Sequence, residues 1–221
     1  SKWSRALLAG VDRKVVLPED VSATARRALA RSEDATVREH ADRTLGRYRA
    51  TAEDKLKLIA QKRKVALGGE PDLKAGYEVA KKTCFVCHKL HNEGVADVGP
   101  DLTGVGRSTL DALLHNIIDP NEVIGRGYES IEVELKDGRN ITGRIVEDAP
   151  SRLKLVASGP TEHIVARSDI EKMHTSELSL MPEGLEQMPD ADFRNMVWYL
   201  LNPPQDNRPM TPELRKELLG E

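Results

Sequence analysis

Large aromatic side chains and cysteines are scarce in this sequence. Its 221 residues include two Phe, two Trp and four Tyr, and its two cysteines, Cys84 and Cys87, lie three positions apart. A small secreted scaffold held together by several disulfides is therefore excluded. The chain can still fold, but its core is short of large rings unless something else supplies them.

Long apolar runs and an overall positive charge are also missing. No stretch of 18 apolar residues occurs, so the sequence predicts no membrane-spanning helix. The formal net charge is −3, which argues against a uniformly basic surface for nucleic acid. The charge is nevertheless uneven, because residues 1–66 carry 16 basic and 9 acidic side chains whereas the remainder carries 17 and 27. This asymmetry predicts two modules with different surroundings.

Apolar periodicity and turn-forming residues divide the chain into four parts. Residues 1–66 are predicted to form short helices, typical of the end of a HEAT-like repeat region. Residues 67–205 form the predicted main domain, and 128–175 are a β-sheet insertion within it. Residues 206–221 are a charged C-terminal tail. We expect the whole to be a piece of a longer protein.

The insertion at 128–175 is predicted to be a small antiparallel sheet of about four strands. From Tyr128 onward the hydrophobic period changes from about 3.6 to 2, as the alternation over 131–135 shows. Asp137-Gly138 is a hairpin-turn signal, and Ser158-Gly159-Pro160 separates two later apolar runs.

The segment Cys84-Phe85-Val86-Cys87-His88 carries the most specific chemical signal in the chain. Its spacing is typical of c-type haem attachment, in which two thiols become thioethers and the adjacent His supplies an axial ligand to iron. One helical turn separates the thiols, so both can reach one edge of the macrocycle. The motif predicts one haem c, bound covalently through Cys84 and Cys87, with His88 as axial ligand. A haem would also explain the poor aromatic content.

Two other uses of the cysteine pair compete with haem attachment. A redox dithiol normally follows a strand in a βαβ unit, whereas a helical pattern precedes Cys84. A structural zinc site would crowd four ligands into eight residues, namely Cys84, Cys87, His88 and His91. Structural zinc usually binds two pairs of ligands separated by a long spacer. Haem attachment is therefore favoured, and both alternatives stay open.

The segment Gly99-Pro100-Asp101-Leu102-Thr103-Gly104 closely resembles the Gly-Pro-x-Leu-x-Gly segment of small His/Met cytochromes c. The resemblance implies that Pro100 lines the haem face and that its carbonyl accepts a hydrogen bond from the ligand imidazole. It places Arg107 near a haem propionate, with a solvated Arg as the alternative. Leu102 is one of the apolar side chains expected to pack around the haem.

The second axial ligand must come from another part of the chain. Cytochromes of this type draw a Met from a loop just before the C-terminal helix, which implies Met181 or Met188. Met188 directly precedes the helix start and is interpreted as an apolar residue packing there, so Met181 is favoured. A bis-His site is the further alternative, with three candidate ligands, His115, His163 and His174.

From Gly76 to Leu201 the chain resembles the haem-binding cytochrome c module abundant in Planctomycetes and Verrucomicrobia. Besides the motifs above, the resemblance is carried by Ile118-Asp119-Pro120-Asn121, Gly127-Tyr128, Asp137-Gly138 and Ser179-Leu180-Met181-Pro182-Glu183-Gly184-Leu185. It implies a mainly α fold, a class I cytochrome c-like helical haem domain with the small antiparallel sheet inserted and a repeat-like helical segment before it. The last helix, with Trp198-Tyr199, would cross the first helix of this domain near Tyr77.

The expected function is electron transfer rather than catalysis, since six-coordinate His/Met iron has no open position for a substrate. The family implies a redox partner protein or an upstream dehydrogenase domain as partner. The alternatives are a gas-sensing or peroxidase-like haem domain with a displaceable distal Met, and an interaction module in which haem is only a structural staple. Thioether formation takes place outside the cytoplasm, so the expected location is periplasmic or otherwise extracytoplasmic, with the leader upstream of this sequence.

Overall fold

The structure is a computed structural model, and it describes residues 2–18, 21, 23–95, 98–104, 106–157 and 161–221, without the side chains of 23, 24 and 47. The predicted turn at Ser158-Gly159-Pro160 lies outside these stretches. Within them the α-helices are α1 (Lys2–Asp12), α2 (Ala23–Ala30), α3 (Ala35–Leu45), α4 (Glu53–Leu67), α5 (Leu73–Thr83), α6 (Leu110–Ile118), α7 (Asp190–Leu201) and α8 (Pro212–Leu219). None of these helices combines the length and apolarity needed to cross a membrane.

Most of the strands follow one another between α6 and α7. The strands are β1 (Gly46–Tyr48), β2 (Lys89–Leu90), β3 (Glu93–Gly94), β4 (Val123–Gly125), β5 (Ile131–Leu135), β6 (Asn140–Asp148), β7 (Arg152–Val156), β8 (Glu162–Ala166) and β9 (Ile170–Thr175). Of the residues that the structure describes, 45% are helical, with short 3₁₀ turns included, and 19% are in strands. The fold is therefore mixed, and the expectation of a mainly α, class I cytochrome c-like fold is wrong.

The largest sheet has five antiparallel strands in the order β8-β7-β6-β5-β9. It encloses an apolar core of its own, formed by Val133, Leu135, Leu153, Leu155 and Val165. The sequence predicted only about four strands here. The missed strand, β9, lies at the edge of the sheet, and five of its six residues are exposed, so it lacks the alternation that marks a half-buried strand.

Helices α4 to α8 pack around a larger apolar core. The most extensive helix pair is α5 with α7, and α5 begins where the Asp72 carboxylate accepts hydrogen bonds from the N–H groups of Lys74 and Ala75. Trp198 of α7 donates from Nε1 to the Ala66 carbonyl at 2.8 Å. Helix α4 thus packs with the domain that follows it, although the sequence groups it with the N-terminal helices.

A separate apolar cluster joins α1, α2 and α3 and the chain between them. Its buried members are Leu8, Val11, Val21, Leu29, Val37, Ala41 and Leu45. The cluster meets the rest of the molecule through the short antiparallel pair β1–β4, in which Gly46 lies opposite Gly125. The N-terminal helices therefore have their own core and a backbone connection to the segment after α6.

The Glu122 carboxylate adds an ionic connection between the N-terminal helices and the segment after α6. Its side chain is 1% exposed and lies 2.8 Å from Arg27 Nη2 on α2 and 2.9 Å from His115 Nδ1 on α6. Burial raises the pKa of Glu122, but the hydrogen bonds and charges of His115 and Arg27 outweigh burial and lower the pKa to about 2. The folded protein therefore holds Glu122 in its ionised form.

Replacing Gly76 with alanine tests the contact between α5 and α7. A Cβ at Gly76 would overlap the Asn195 carbonyl oxygen and lie 2.8 Å from Tyr199 Cβ, so the helices would have to move apart. We expect Gly76→Ala to lower the free energy of unfolding in urea by about 2 kcal/mol or more. Gly104→Ala is the control, because an added Cβ there meets nothing within 4 Å. Equal losses in the two variants would contradict the close contact.

The lowered pKa of Glu122 predicts an acid-sensitive contribution to stability. A carboxylate with a lowered folded pKa stabilises the fold above its unfolded pKa, and this contribution is lost as pH falls towards the folded pKa. For Glu122 the window runs from pH 4.5 to about 2, and the full contribution is about 3 kcal/mol. Glu122→Gln should thus be less stable than the unaltered chain at neutral pH, by a margin that narrows in acid.

Urea unfolding between pH 7 and pH 3 measures this margin. Glu53→Gln serves as the control, since the Glu53 side chain is exposed to solvent and pairs only along its own helix with Lys57. A margin for Glu122→Gln that stays constant over the whole pH range would show that the Glu122 charge is not what stabilises the junction.

Candidate functional site

The segment from Cys84 to His88 forms a tight turn at the end of α5. Cys84 follows the last residue of the helix, and its N–H donates to the Ala80 carbonyl at 2.7 Å. The N–H groups of Cys87 and His88 both donate to the Cys84 carbonyl, at 3.1 and 2.9 Å. One short piece of backbone therefore carries both thiols and the imidazole.

Both thiols of this turn are free, and their surroundings differ. Cys84 is buried and Cys87 is half-buried. The sulfur of Cys84 lies 3.8 Å from Met196 Sδ and 3.4 Å from Thr83 Oγ1. Burial raises the pKa of the Cys84 thiol, whereas a redox-active dithiol depends on a lowered thiol pKa. Cys84 is therefore unsuited to be the attacking thiolate of a redox dithiol, and that alternative would rest on the half-buried Cys87.

The His88 ring is held in one tautomer. Its Nδ1 lies 2.8 Å from the Pro100 carbonyl oxygen, and because a carbonyl only accepts hydrogen bonds, Nδ1 carries the proton and donates. Burial lowers the pKa of His88 and outweighs the opposing effect of the Pro100 hydrogen bond. The neutral ring therefore keeps a lone pair on Nε2, as a metal ligand requires. The hydrogen bond from His88 to Pro100 that the resemblance implied is present.

The loop before Pro100 approaches the His88 ring closely because Gly99 has no side chain. An added Cβ would overlap the ring, lying 2.6 Å from Nδ1 and 2.8 Å from Nε2. The Gly99 N–H donates to the Cys87 carbonyl at 2.8 Å, and the Leu102 N–H donates to the Lys89 carbonyl at 2.7 Å. Backbone hydrogen bonds thus hold this loop against the motif on both sides of Pro100.

Arg107 is buried, and its donors are used within the protein. Its side chain is 9% exposed and forms an ion pair with Asp206, with Nη1 2.9 Å from Oδ2. It also donates to four carbonyls, those of Leu102, Thr103, Leu200 and Leu201. The solvated alternative for Arg107 is therefore wrong, because the guanidinium ties the Leu102 loop to the end of α7.

Asp206 is the residue that sequence reasoning missed. It sits in the predicted tail and accepts from Arg107 and from His91 Nε2, the latter at 2.7 Å. Burial raises the pKa of Asp206, but hydrogen bonds from Arg107 and His91 outweigh it and lower the pKa. The Pro203-Pro204 turn after α7 is the only local signal that this segment folds back.

Met181, Met188 and Leu102 pack against the apolar core that also contains Cys84 and Phe85. Met181 lies in the irregular segment before α7, where its N–H donates to Ser179 Oγ at 3.1 Å. Met188 ends a short 3₁₀ turn (Leu185–Gln187) directly before the helix. Both methionines contact the same core, so this packing does not favour either one as the second axial ligand.

The other histidine candidates belong to different contacts. His115 Nδ1 is bound to Glu122, and His174 Nε2 lies 3.2 Å from a Glu132 oxygen. His163 lies on β8, opposite Leu155 of β7. These three histidines are thus placed in the α6 junction and in the five-stranded sheet, not in the turn that carries the two thiols.

The described residues contain no group of three or more His, Cys, Asp and Glu side chains arranged to hold a metal ion. The zinc alternative requires Cys84, Cys87, His88 and His91 to gather, and His91 Nε2 is bound to Asp206 instead. A His/Met haem site does not require such a group, since only one of its two axial ligands is of these types.

Three aromatic rings pack together beside the motif. The Tyr77 and Tyr199 rings meet edge to face with their centroids 5.6 Å apart, and Phe85 of the motif lies 6.3 Å from each. The predicted crossing of the last helix of the domain near Tyr77 is confirmed. This contact anchors the turn to both α5 and α7.

Gly99→Ala tests whether the loop determines the state of the His88 ring. The added Cβ would push the imidazole away from Pro100, so burial of the ring would decrease. In the chain with free thiols, we expect the pKa of His88 to lie below its ordinary value and to rise in Gly99→Ala. An NMR titration of the imidazole nitrogens measures both. Gly104→Ala should leave the pKa of His88 unchanged, and an unshifted pKa in Gly99→Ala would contradict this account.

The donor set of this site fits a covalently bound haem. One turn of backbone carries two free thiols and a neutral imidazole, and an apolar core with two methionine candidates lies beside it. No protein-family model matches the chain, and no curated protein matches it either. A function for this protein must therefore be inferred from the chemistry of these side chains.

Proposed function

We propose that this protein is a one-electron carrier, a monohaem c-type cytochrome with haem c attached through Cys84 and Cys87. His88 and Met181 are its proposed axial ligands. The observation that carries the proposal is the hydrogen bond from neutral His88 to the Pro100 carbonyl, 2.8 Å long, in the same turn as two free thiols. A buried imidazole with one fixed nitrogen and one free nitrogen is prepared to bind a metal.

The residues around the turn have distinct roles in this proposal. The two thiols would hold the haem covalently, and the Pro100 carbonyl orients His88 and increases its basicity. Arg107 and Asp206 hold the Leu102 loop, which follows Pro100, against the end of α7. When bound, haem iron supplies reversible one-electron oxidation and reduction.

Met181 is the proposed distal ligand because of its place in the chain. It lies in a segment that is neither helix nor strand, so helical hydrogen bonding does not determine where its side chain lies, whereas Met188 stands between a 3₁₀ turn and α7. Binding of a haem iron by both His88 and Met181 would leave it no open position for a substrate, and we therefore propose electron transfer rather than catalysis.

The partner and the location are proposed with the function. Resemblance to the Planctomycete and Verrucomicrobia module supports a dehydrogenase domain or a redox protein as electron donor or acceptor. Thioether formation supports a periplasmic or otherwise extracytoplasmic location. The acidic balance of residues 67–221 also favours a basic partner surface.

Absorption spectroscopy of the matured protein tests the proposal. We expect a reduced low-spin spectrum that carbon monoxide does not change, because both axial positions are filled. Met181→Ala should become high-spin, bind carbon monoxide and lower its reduction potential by more than about 0.1 V, within the roughly 0.8 V range set by axial ligands. Met188→Ala is the matched control and should retain the spectrum and potential of the unaltered protein.

Each contrary result has a defined meaning. A colourless protein with both thiols free after maturation would overturn haem binding. Rapid binding of carbon monoxide by the unaltered protein would favour the gas-sensing or peroxidase-like alternative. Loss of the low-spin spectrum in Met188→Ala, with Met181→Ala unchanged, would assign the distal position to Met188.

A further inference from the structure

The segment that carries Met181 is tied to one buried side chain. Residues 176–184 form neither helix nor strand, so side-chain contacts position this part of the chain. The Asn121 side chain accepts a hydrogen bond from the Ser179 N–H at 2.7 Å and donates to Glu183 Oε1. Asn121 is buried. The residues on both sides of Met181 are thereby fixed to the turn that follows α6.

A lysine from α4 completes this attachment. Lys55 Nζ lies 2.6 Å from Glu183 Oε1 and 3.0 Å from Asp119 Oδ1. The Asp119 side chain is 0% exposed, and a buried carboxylate is costly unless a cation accompanies it. Lys55 therefore serves two acidic groups at once, one in the turn after α6 and one in the Met181 segment.

The turn after α6 receives cations from three places in the N-terminal part of the chain. Arg27 of α2 pairs with Glu122, Lys55 of α4 pairs with Asp119, and Arg49, which lies between these helices, approaches Asp119 at 3.5 Å. Basic side chains from residues 1–66 thus form ion pairs with the acidic side chains of this turn. Asn121 lies between the two acidic residues in the chain, and its side chain binds the Met181 segment by hydrogen bonds to Ser179 and Glu183.

We propose that Lys55, Asn121 and Glu183, together called the loop clamp, are positioning residues that hold Met181 at the distal axial position. The inference rests on the proposed function. If the clamp positions Met181, then ligation by Met181 depends on the basic N-terminal part of the chain, because Lys55 belongs to α4. Thioether sulfur is a neutral ligand without charge attraction to the metal, so retention of Met181 relies on how firmly its backbone is held.

Substitution of Lys55 tests the clamp in the haem-bearing protein. Lys55→Met keeps the length of the side chain and removes its charge, and Lys55→Arg restores a cation. Lys57→Met is the matched control on the same helix, because the Lys57 side chain is 75% exposed and pairs with Glu53 instead. Glu183→Ala is a second variant that releases both Lys55 and Asn121 at a half-exposed position.

Two measurements are made on each variant. The first is hydrogen exchange of the backbone amides at 179–181 and 183, which we expect to accelerate about tenfold or more in Lys55→Met and Glu183→Ala, as loss of a charge-assisted hydrogen bond predicts. The second is carbon monoxide binding to the reduced protein, expected to rise by a similar factor as Met181 dissociates more often. Lys55→Arg should recover most of both properties, and Lys57→Met should change neither.

The outcomes separate failure of the clamp from failure of the proposed function. If the unaltered protein has Met181 as ligand and both clamp variants exchange and bind carbon monoxide as it does, the clamp is overturned and the electron carrier stands. If exchange accelerates without any change in carbon monoxide binding, the clamp is only a structural tether and the inference is again overturned. If the matured protein lacks haem, the proposed function fails and the inference fails with it.

Discussion

The hydrogen bond between His88 Nδ1 and the Pro100 carbonyl is the interaction on which the site depends. It joins the turn after α5 to a loop 12 residues further along the chain. It also fixes the tautomer of a buried neutral ring. Gly99 makes the contact sterically possible, since any side chain there would occupy the space of the imidazole. The neutral, oriented state of the His88 ring therefore comes from its surroundings as much as from its place in the motif.

The rest of the helical body keeps this arrangement rigid. Close packing of α5 on α7 at Gly76 sets the position of the turn, while Arg107 connects the Leu102 loop to the end of α7 and to Asp206. The five-stranded sheet has its own apolar core. A chain that inserts a separately packed sheet between α6 and α7 is mixed in class, although the part around the motif is helical.

The opposite charges of the two parts of the chain meet at the turn after α6. There, buried Asp119 and Glu122 accept from cations of the N-terminal part, and a buried carboxylate of this kind is stable only when it is paired. Asn121, between them, holds the segment that contains Met181. The turn after α6 consequently pairs the opposite charges, contacts the N-terminal helices and holds the loop that carries Met181.

Short-range patterns were enough to identify the cysteine and histidine motif and most strands of the sheet, because neighbouring residues set spacing and periodicity. The hydrogen bond from His88 to Pro100 and the helix crossing near Tyr77 were expected from the resemblance to small cytochromes c. The folded structure was needed to identify the mixed class, the edge strand β9, the partner of Arg107 and the cation of the Met181 segment. Asp206 and Arg107 are 99 residues apart, and Lys55 and Glu183 are 128 apart. Such pairs leave no periodic trace in the sequence, because they are selected by how separate elements pack and by the need to neutralise charges that packing buries.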